Sequence, residues 1–382
     1  MTGPRDSERS VTFRSELREF LAANPPPAGT GFDVELDWQQ TLAADGWVAP
    51  HWPERFGGRS ATLADYAIYV TELADAGAPQ VANRVGVSHA GPTLLEHGND
   101  DQRSRWLPPI LSGDEIWCQL FSEPDAGSDL AAVSTRAERD GDGWRVSGQK
   151  VWTSYADRAA FGILLARTGT AAERHRGLSF FVFDLSVPGV EIRPLRQFTG
   201  EVEFFEVFFD GARLEDEALV GREGDGWRIA TTTLAHERGV GFPLKEQVVL
   251  RRLLDEKLAD GARGALGRQQ LAHIYTQSEI FRYLNLRTLE RLAAGADAGA
   301  ETSLAKLAWS DLAQSTHTLG VPVVSDTSYA DAPWRDFLWS RSNTIAGGTS
   351  EIQKNIIGER LLGLPREPRP PVHDPATGGQ ST

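Results

Sequence analysis

The 382-residue sequence is poor in sulfur and has no long hydrophobic run, with one cysteine and one methionine. A single cysteine, Cys118, excludes an internal disulfide framework and is typical of a reducing compartment. No apolar stretch approaches the ~20 residues that a membrane-spanning helix needs, and the N-terminus lacks a signal-peptide pattern. These absences predict a cytoplasmic protein without a membrane partner.

Positive charge is also scarce, because 39 Lys and Arg stand against 53 Asp and Glu, giving a net charge of −14. Such a surface repels phosphate backbones, which argues against nucleic acid or an anionic membrane as a partner. The eight histidines show no metal-ligand spacing, and one cysteine cannot build a thiolate zinc site, so we predict no metal. A hydrophobic content of 40% is that of an ordinary globular protein.

Periodicity divides the chain into three regions. Residues 1–117 have helical spacing, with Phe13, Leu17 and Phe20 on one face of the first helix. Residues 38–47 predict a second helix, and Thr62 is a suitable N-cap for a third. Residues 118–222 predict a β-domain of short strands, which begins with a hairpin at the turn 140–143. Residues 223–365 return to helical spacing.

The two ends of the chain differ from these three regions. The first ten residues and the tail 366–382 lack the apolar residues for a core, so we expect disorder there.

Three segments carry the chemistry, and each has an ordinary structural explanation as well. Residues 121–129, Phe-Ser-Glu-Pro-Asp-Ala-Gly-Ser-Asp, combine small residues with a hydroxyl, and glycine leaves the backbone open to a flat heterocycle. The same residues also fit a turn capped by Ser128 or Asp129. In Gln149-Lys-Val-Trp-Thr-Ser154, a tryptophan is most often a core residue. Gly347-Gly-Thr-Ser-Glu-Ile-Gln353 is a good helix start, capped by Thr349 or Ser350.

In this order the three segments resemble the acyl-CoA dehydrogenases, flavoenzymes that desaturate acyl thioesters. The similarity extends from about residue 10 to 366. It implies an α+β multi-domain fold with an N-terminal helical domain, a central β-barrel-like domain and a C-terminal helical bundle.

The resemblance implies an FAD site. By similarity, Phe121 and Ser122 lie along the flavin ring, Trp152 packs against it, and Ser154 bonds near its N5 atom. Gly127 and Ser128 line the flavin, and Ser128 also lines the pantetheine arm of the thioester. The same similarity brings Thr349 and Glu351 to the ribityl and diphosphate region.

One position departs from the family pattern. Gly347 occupies the place where many members carry the catalytic glutamate, and it has no side chain to take a proton. A minority of members carry the glutamate on the first helix after the β-domain, where this chain has His236-Glu-Arg238. The resemblance therefore implies Glu237 as the base and Arg238 as a contact to CoA, although a Glu-Arg pair on a helix is most often a solvated face. Gly347 keeps its backbone N–H, which can still bind the thioester oxygen.

The resemblance also implies partners: an acyl-CoA or acyl-carrier thioester, and electron-transfer flavoprotein as the electron acceptor. Relatives are mostly homotetramers. The Arg-x-x-Phe-Gly segment through which a neighbouring subunit holds FAD is missing near 255–270, and Arg268-Gln-Gln resembles an actinobacterial branch with mixed complexes. The resemblance therefore leaves two alternatives, a homotetramer and a heterotetramer.

Two further hypotheses remain beside an active dehydrogenase. Gly347 favours a catalytically deficient FAD-binding subunit of a heteromeric complex. The same fold also includes flavin-dependent monooxygenases, against which Glu237 and the intact Gly-Thr-Ser-Glu segment count. The small residues Ala346, Gly347 and Gly348 remove bulk from the acyl pocket, which predicts a branched or bulky acyl chain.

Overall fold

The computed structural model describes residues 8–29, 31–237, 239–259, 264–296, 300–320 and 332–366. Helices form both ends of this part of the chain and one sheet forms its centre, which confirms the predicted fold class. The helices are α1 Glu8–Ala23, α2 Phe32–Ala44, α3 Leu63–Asp75, α4 Gly91–His97, α5 Asp100–Ser112, α6 Gly226–Glu237, α7 Gly241–Ala259, α8 Gly264–Ala293, α9 Glu301–Gly320, α10 Ala332–Ser340 and α11 Ser350–Ile356. Within the described ranges, no helix has the length and apolar character to cross a membrane.

The N-terminal helices enclose Trp47, whose indole packs edge-on against Phe13 at 5.3 Å and stacks on Tyr69 at 6.3 Å. Thr62 caps α3 as predicted, in a reciprocal capping box with Asp65. The disorder expected over residues 8–10 is wrong. Ser10 and Arg9 both donate to the buried Asp65 carboxylate, so α1 already begins at Glu8.

The second helix also differs from its prediction over 38–47. It begins at Phe32 and ends at Ala44, because Gly46 has φ 70° and turns the chain. The N–H groups of Gly46 and Trp47 bond back to the carbonyls of Ala43 and Leu42, a left-handed helix ending that favours glycine.

The sheet has the strand order β6-β7-β3-β2-β4-β5-β8, with β1 paired to β4. The predicted hairpin is present, since Asp140 pairs with Gly143 across a two-residue turn. The aromatic side chains Trp144, Phe181 and Phe183 are buried in the hydrophobic core that the strands form. The strands are β1 Trp117–Leu120, β2 Arg136–Asp140, β3 Gly143–Ser154, β4 Phe161–Arg167, β5 Leu178–Asp184, β6 Val190–Leu195, β7 Phe204–Glu215 and β8 Leu219–Val220.

The C-terminal helices pack against the N-terminal helix α3 and against one another. Helix α7 packs on α3, α8 and α9, and α11 continues into a π-helical turn, Ile357–Leu361. The helix predicted to run through Leu362 therefore ends one residue earlier, in a wider turn. The domain divisions at residues 118 and 223 stay predictions, and all but the first residue of the tail 366–382 lies outside the described ranges.

A buried amide pair joins the N-terminal helices to the sheet. The backbone N–H of Asn83 donates to Gln39 Oε1 at 2.9 Å, and its side-chain Nδ2 donates to the carbonyls of Ile110 and Glu115 at 3.1 and 2.8 Å. Its Oδ1 accepts from the backbone N–H of Trp117, the first residue of β1, at 2.9 Å. Both amide residues are fully buried. Asn83 thus joins α2 through its backbone N–H and joins α5 and β1 through its side chain.

We expect Asn83→Leu to destabilise the protein by roughly 3 kcal/mol, because the Glu115 carbonyl and the Trp117 N–H lose their partner at ~1–3 kcal/mol each, whereas the Ile110 carbonyl keeps its bond from Gln39. The control is Asn24→Leu, which removes one bond of 3.1 Å from a half-buried side chain to Phe20. Urea unfolding of the two variants measures the difference. Equal shifts of the midpoint would show that the Asn83 amide does not join the domains.

Candidate functional site

The first two predicted flavin segments lie side by side at the end of the sheet. The N–H of Val151 donates to the carbonyl of Ser122 at 2.9 Å, which joins the loop after β1 to β3. Beneath this contact, Lys150 Nζ donates to the Phe121 carbonyl at 2.9 Å and to Glu123 Oε1 at 2.8 Å. A buried ion pair therefore holds the two segments together.

The environment of Glu123 keeps this pair ionised. Burial would raise the pKa of Glu123, but the charge of Lys150, their hydrogen bond and the bonds from Thr135 and Ser134 outweigh it and hold that pKa at about 2. Burial lowers the pKa of Lys150 to about 8 against the attraction of Glu123. Both groups therefore stay charged at neutral pH, and the pair is 0% and 5% exposed.

Trp152 is held in an unusual conformation. Its φ is 60°, a left-handed backbone that costs a non-glycine residue about 1–3 kcal/mol. The register of β3 against β7 shifts between Lys150 and Thr153, and this irregularity turns the indole outward, leaving Trp152 60% exposed. Its ring packs edge-on against Phe204, which stacks on Trp339 of α10. The strained strand end thus presents an aromatic face between the sheet and the C-terminal helices.

The third segment forms a tight loop before α11. Gly347 and Gly348 have φ 66° and 92°, and both conformations favour glycine. The buried side chain of Gln353 donates to their carbonyls at 3.0 and 3.3 Å. Of the two predicted caps, Thr349 and Ser350, Thr349 is the N-cap and its Oγ1 accepts from the N–H of Ile352 at 3.2 Å. Helix α11 therefore holds the loop that precedes it in place.

Glu237, the last residue of α6, reaches this loop. A Cβ built on Gly347 would lie 3.2 Å from Glu237 Oε1 and 3.9 Å from Cε of Lys306. The carboxylate thus occupies the space into which a side chain at position 347 would begin to grow. Its other oxygen, Oε2, lies 3.8 Å from Nε2 of His89.

The remaining predicted residues occupy different environments. Phe121 packs its ring on Phe180 in the core, so any cofactor contact of this residue is through its main chain. Gly127 and Ser128 are exposed, and a Cβ on Gly127 would meet no protein atom within 4 Å. Glu351 is exposed, and Arg238 lies outside the described residues.

Ser154 completes the strand end of the site. Its side chain is half-buried, and its hydroxyl has no hydrogen-bond partner among the described residues.

The site fits a large heterocyclic cofactor with polar edges. Among the described residues, buried side-chain atoms without a hydrogen-bond partner include three in the flavin segments: Thr153 Oγ1, Ser350 Oγ and Gln353 Oε1. Buried polar atoms are normally paired, so these three suit a ligand that carries donors and acceptors. The exposed indole of Trp152 supplies a flat apolar wall beside them.

Four residues of this region were not found from the sequence alone: Glu123, Lys150, His89 and Gln353. Lys150 could have been found from the sequence, because it lies an even number of residues from Trp144 and Val146 and so points to the same buried face of β3. A lysine at a buried position needs a charged partner. His89 and Gln353 give no such signal, because their partners are distant in sequence or are backbone carbonyls.

Comparison with known proteins identifies the family. Three family models match: the acyl-CoA dehydrogenase N-terminal domain over residues 7–114, the middle domain over 118–212 and the C-terminal domain over 224–362. The chain belongs to the acyl-CoA dehydrogenase family. It is an FAD-dependent oxidoreductase that dehydrogenates an acyl-CoA, as the resemblance in sequence implies.

Among its relatives is acyl-CoA dehydrogenase IpdE1 of Mycobacterium tuberculosis, 40% identical over 379 residues, or 93% of this chain and 98% of that protein. Among solved structures, the Tcur3481-Tcur3483 steroid ACAD has a TM-score of 0.81 and 27% identity, covering 96% of this chain and 100% of that one. The ChsE4-ChsE5 complex from Mycobacterium tuberculosis has a TM-score of 0.79 and 28% identity, with the same coverage.

We expect Glu123→Gln to destabilise the protein by about 3–5 kcal/mol, because it leaves the Lys150 charge buried without its partner. The variant should also lose part of its FAD, since Lys150 anchors Phe121. Glu138→Gln, which removes an exposed carboxylate of β2, is the matched control.

Lowering the pH should destabilise the wild-type protein through protonation of Glu123. Glu123 becomes protonated near its ordinary pKa of 4.5 in the unfolded chain, but only near 2 in the folded chain. The contribution of its carboxylate to the free energy of unfolding is therefore complete above pH 4.5 and is lost as the pH falls towards 2. Urea midpoints across this window should fall less in Glu123→Gln than in wild type. An equal fall would contradict the role of the pair.

Proposed function

We propose that this acyl-CoA dehydrogenase uses Glu237 as its catalytic base and Gly347 as a backbone donor to the thioester oxygen. The observation that carries the proposal is the distance of 3.2 Å between Glu237 Oε1 and the Cβ position of Gly347. A carboxylate from α6 thus reaches the place from which the usual base of the family would project. Any side chain at position 347 would crowd it, so the absence of a glutamate there and the presence of Glu237 belong together.

The chemistry requires two groups that act at once. An α-proton is too weakly acidic for a carboxylate unless the enolate-like charge on the thioester oxygen is stabilised by fixed donors. The N–H of Gly347 supports this role because Gln353 holds the carbonyls of the glycine pair, and Lys306 Nζ donates to the nearby Asn343 carbonyl at 2.8 Å. Glu237 takes the proton from Cα. Bound FAD supplies the acceptor for the hydride from Cβ.

We assign the cofactor contacts to the residues at the meeting point of the three segments. Trp152 provides an aromatic wall, and Ser154, half-buried at the end of β3, provides a free hydroxyl. The main chain of Phe121 and Ser122, the open loop at Gly127 and Ser128, and the start of α11 at Thr349 and Glu351 surround the remaining polar parts.

The acyl group is proposed to be branched or bulky. Ala346, Gly347 and Gly348 form a wall with little side-chain volume, and Ala346 is exposed at it. Relatives named steroid ACAD, at 27% identity, support a polycyclic or ring-bearing acyl chain over a short straight one. Electrons pass from the reduced cofactor to electron-transfer flavoprotein.

A heteromeric assembly is the second candidate. Two of the similar structures are named as pairs, Tcur3481-Tcur3483 and ChsE4-ChsE5, which favours a partner subunit of the same fold. In that arrangement this chain contributes the Glu237 site and the partner completes the FAD site.

Glu237→Gln should retain FAD and lose substrate-driven bleaching of the flavin by about 10²–10⁴-fold, because a general base contributes that much. Glu96→Gln is the control, since Glu96 lies beside His236 and His97, on the neighbouring helix α4. Anaerobic stopped-flow absorbance measures the rate. Undiminished bleaching in Glu237→Gln would sink the assignment of the base.

An anaerobic titration should separate the acyl classes. Two samples are compared: the purified yellow protein alone, and the same protein purified together with a co-expressed partner subunit. Each sample is titrated with butanoyl-CoA, octanoyl-CoA, isovaleryl-CoA and cyclohexylpropanoyl-CoA. We expect the branched or ring-bearing thioesters to bleach the flavin faster than the straight ones. Reduction by straight chains alone would contradict the proposed pocket, and reduction only with the partner would favour the heteromeric enzyme.

A further inference from the structure

We propose that Tyr155 is a positioning residue for the cofactor site: its side chain is held by Arg84 and fixes the backbone that directs the Ser154 hydroxyl. This inference rests on the proposed contact between Ser154 and the cofactor. It assigns a function to two residues, Tyr155 and Arg84, that lie outside the three cofactor segments.

The backbone is strained on both sides of the two hydroxyl residues that end β3. Trp152 has φ 60° and Tyr155 has φ 54°, and this left-handed conformation is uncommon for aromatic residues. Between them, Thr153 and Ser154 pair with β7. Strain of this kind persists only where the surrounding structure holds it, and it is concentrated at functional sites. Other contacts therefore hold the end of β3 in its conformation.

The two hydroxyls have no hydrogen bonds of their own that set their direction. Thr153 Oγ1 is buried without a partner among the described residues, and Ser154 Oγ has none there either. Their positions therefore depend on the backbone of these two residues and on the residues that flank it. Because Tyr155 directly follows Ser154, a change in its backbone conformation moves the Ser154 hydroxyl.

Tyr155 is held at its main chain and at its side chain. Its N–H donates to the Glu203 carbonyl at 2.9 Å, and its carbonyl accepts from the N–H groups of Arg158 and Ala159 at 3.0 and 3.1 Å. Arg84 Nη2 donates to its hydroxyl oxygen at 2.7 Å. The main-chain bonds are open to any residue at this position, whereas the last bond requires the phenol. The bond from Arg84 is thus the contact through which the side chain offsets the strain.

Arg84 is itself fixed by neighbouring groups. Its Nη2 also donates to Glu35 Oε2 of α2 at 3.1 Å, and its guanidinium lies 5.1 Å from the centre of the Tyr155 ring. Arg84 directly follows Asn83, whose side chain bonds to α5 and β1. The N-terminal helices therefore hold the guanidinium at the end of β3.

This hydrogen bond keeps its donor and its acceptor at neutral pH. Burial raises the pKa of Tyr155 to about 12, and the charge of Arg84 acts against this shift. Burial also raises the pKa of Glu35 and that of Glu203, and Arg84 again acts in the opposite direction. Tyr155 is therefore a neutral phenol that accepts from a guanidinium, a group that stays charged in proteins.

The test compares Tyr155→Phe, Tyr155→Asn and the control Tyr69→Phe as FAD-loaded proteins. Tyr69 is a matched tyrosine, since its hydroxyl donates to the Val48 carbonyl at 3.4 Å inside the N-terminal core. Two quantities are measured without substrate. The fluorescence of free flavin after dilution gives the rate of FAD release, and anaerobic reduction beside a reference dye gives the reduction potential of the bound flavin.

In Tyr155→Phe we expect roughly tenfold faster release of FAD, because one hydrogen bond that holds the site is lost. The reduction potential should become more negative, since a hydrogen-bond donor near the flavin ring is less well placed. Tyr155→Asn should restore both quantities, because asparagine accepts the left-handed conformation without the bond from Arg84. Tyr69→Phe should leave both unchanged.

Ser154→Ala separates this inference from the proposed cofactor contact. If Ser154→Ala changes both quantities and Tyr155→Phe changes neither, the positioning role is overturned and the contact stands. If Ser154→Ala changes neither, the contact fails and the positioning role fails with it.

Two further outcomes also overturn the positioning role. Lower thermal stability of Tyr155→Phe with unchanged release and potential shows a purely structural role. Faster release in Tyr155→Asn than in Tyr155→Phe shows that the ring itself contacts the cofactor. If Tyr155→Phe loses its FAD during purification, Arg84→Lys, which keeps a positive charge beside Glu35 on a different side chain, should show the same two shifts.

Discussion

The buried amides of Asn83 and Gln39 are the constraint on which the rest of the molecule depends. Helices packed on a sheet through apolar side chains alone can slide, whereas hydrogen bonds to buried backbone groups have one geometry. Asn83 bonds at once to the end of α5, to the Glu115 carbonyl that follows it and to the first residue of β1. The next turn packs directly on this amide, since a Cβ on Gly86 would lie 2.4 Å from Asn83 Oδ1. That turn also carries His89, whose Nε2 lies 3.8 Å from Oε2 of Glu237 on α6.

Charge and strain are concentrated where the cofactor segments meet. The Glu123–Lys150 pair lies beneath the loop and strand to which we assign the flavin contacts, and burying two charges there is tolerated because every oxygen of Glu123 has a donor. Just above it, Trp152 holds a left-handed backbone that leaves its ring exposed. A rigid, fully bonded support thus carries a strained, open face, as expected of a binding site built on a stable scaffold.

In the proposed mechanism, the role of the base moves from the loop before α11 to helix α6. Gly347 has a conformation in which glycine is favoured, and its missing side chain leaves room for Glu237 from another helix. The loop keeps its backbone donor while the carboxylate arrives from α6. A side chain at position 347 and the Glu237 carboxylate therefore compete for the same space.

The sequence by itself determined the family, the helix–sheet–helix order and the cap residue Thr62, and it narrowed the cap of α11 to Thr349 or Ser350, because these depend on local spacing and short motifs. It missed the start of α1 at Glu8 and the true bounds of α2, since Asp65 and the turn at Gly46 act through tertiary contacts. It named Glu237 only by similarity. The tertiary structure decided that Glu237 reaches Gly347, that Lys150 pairs with Glu123, and that His89 lies beside Glu237. Each of these contacts joins residues far apart in the chain, and local patterns carry no information about such distances.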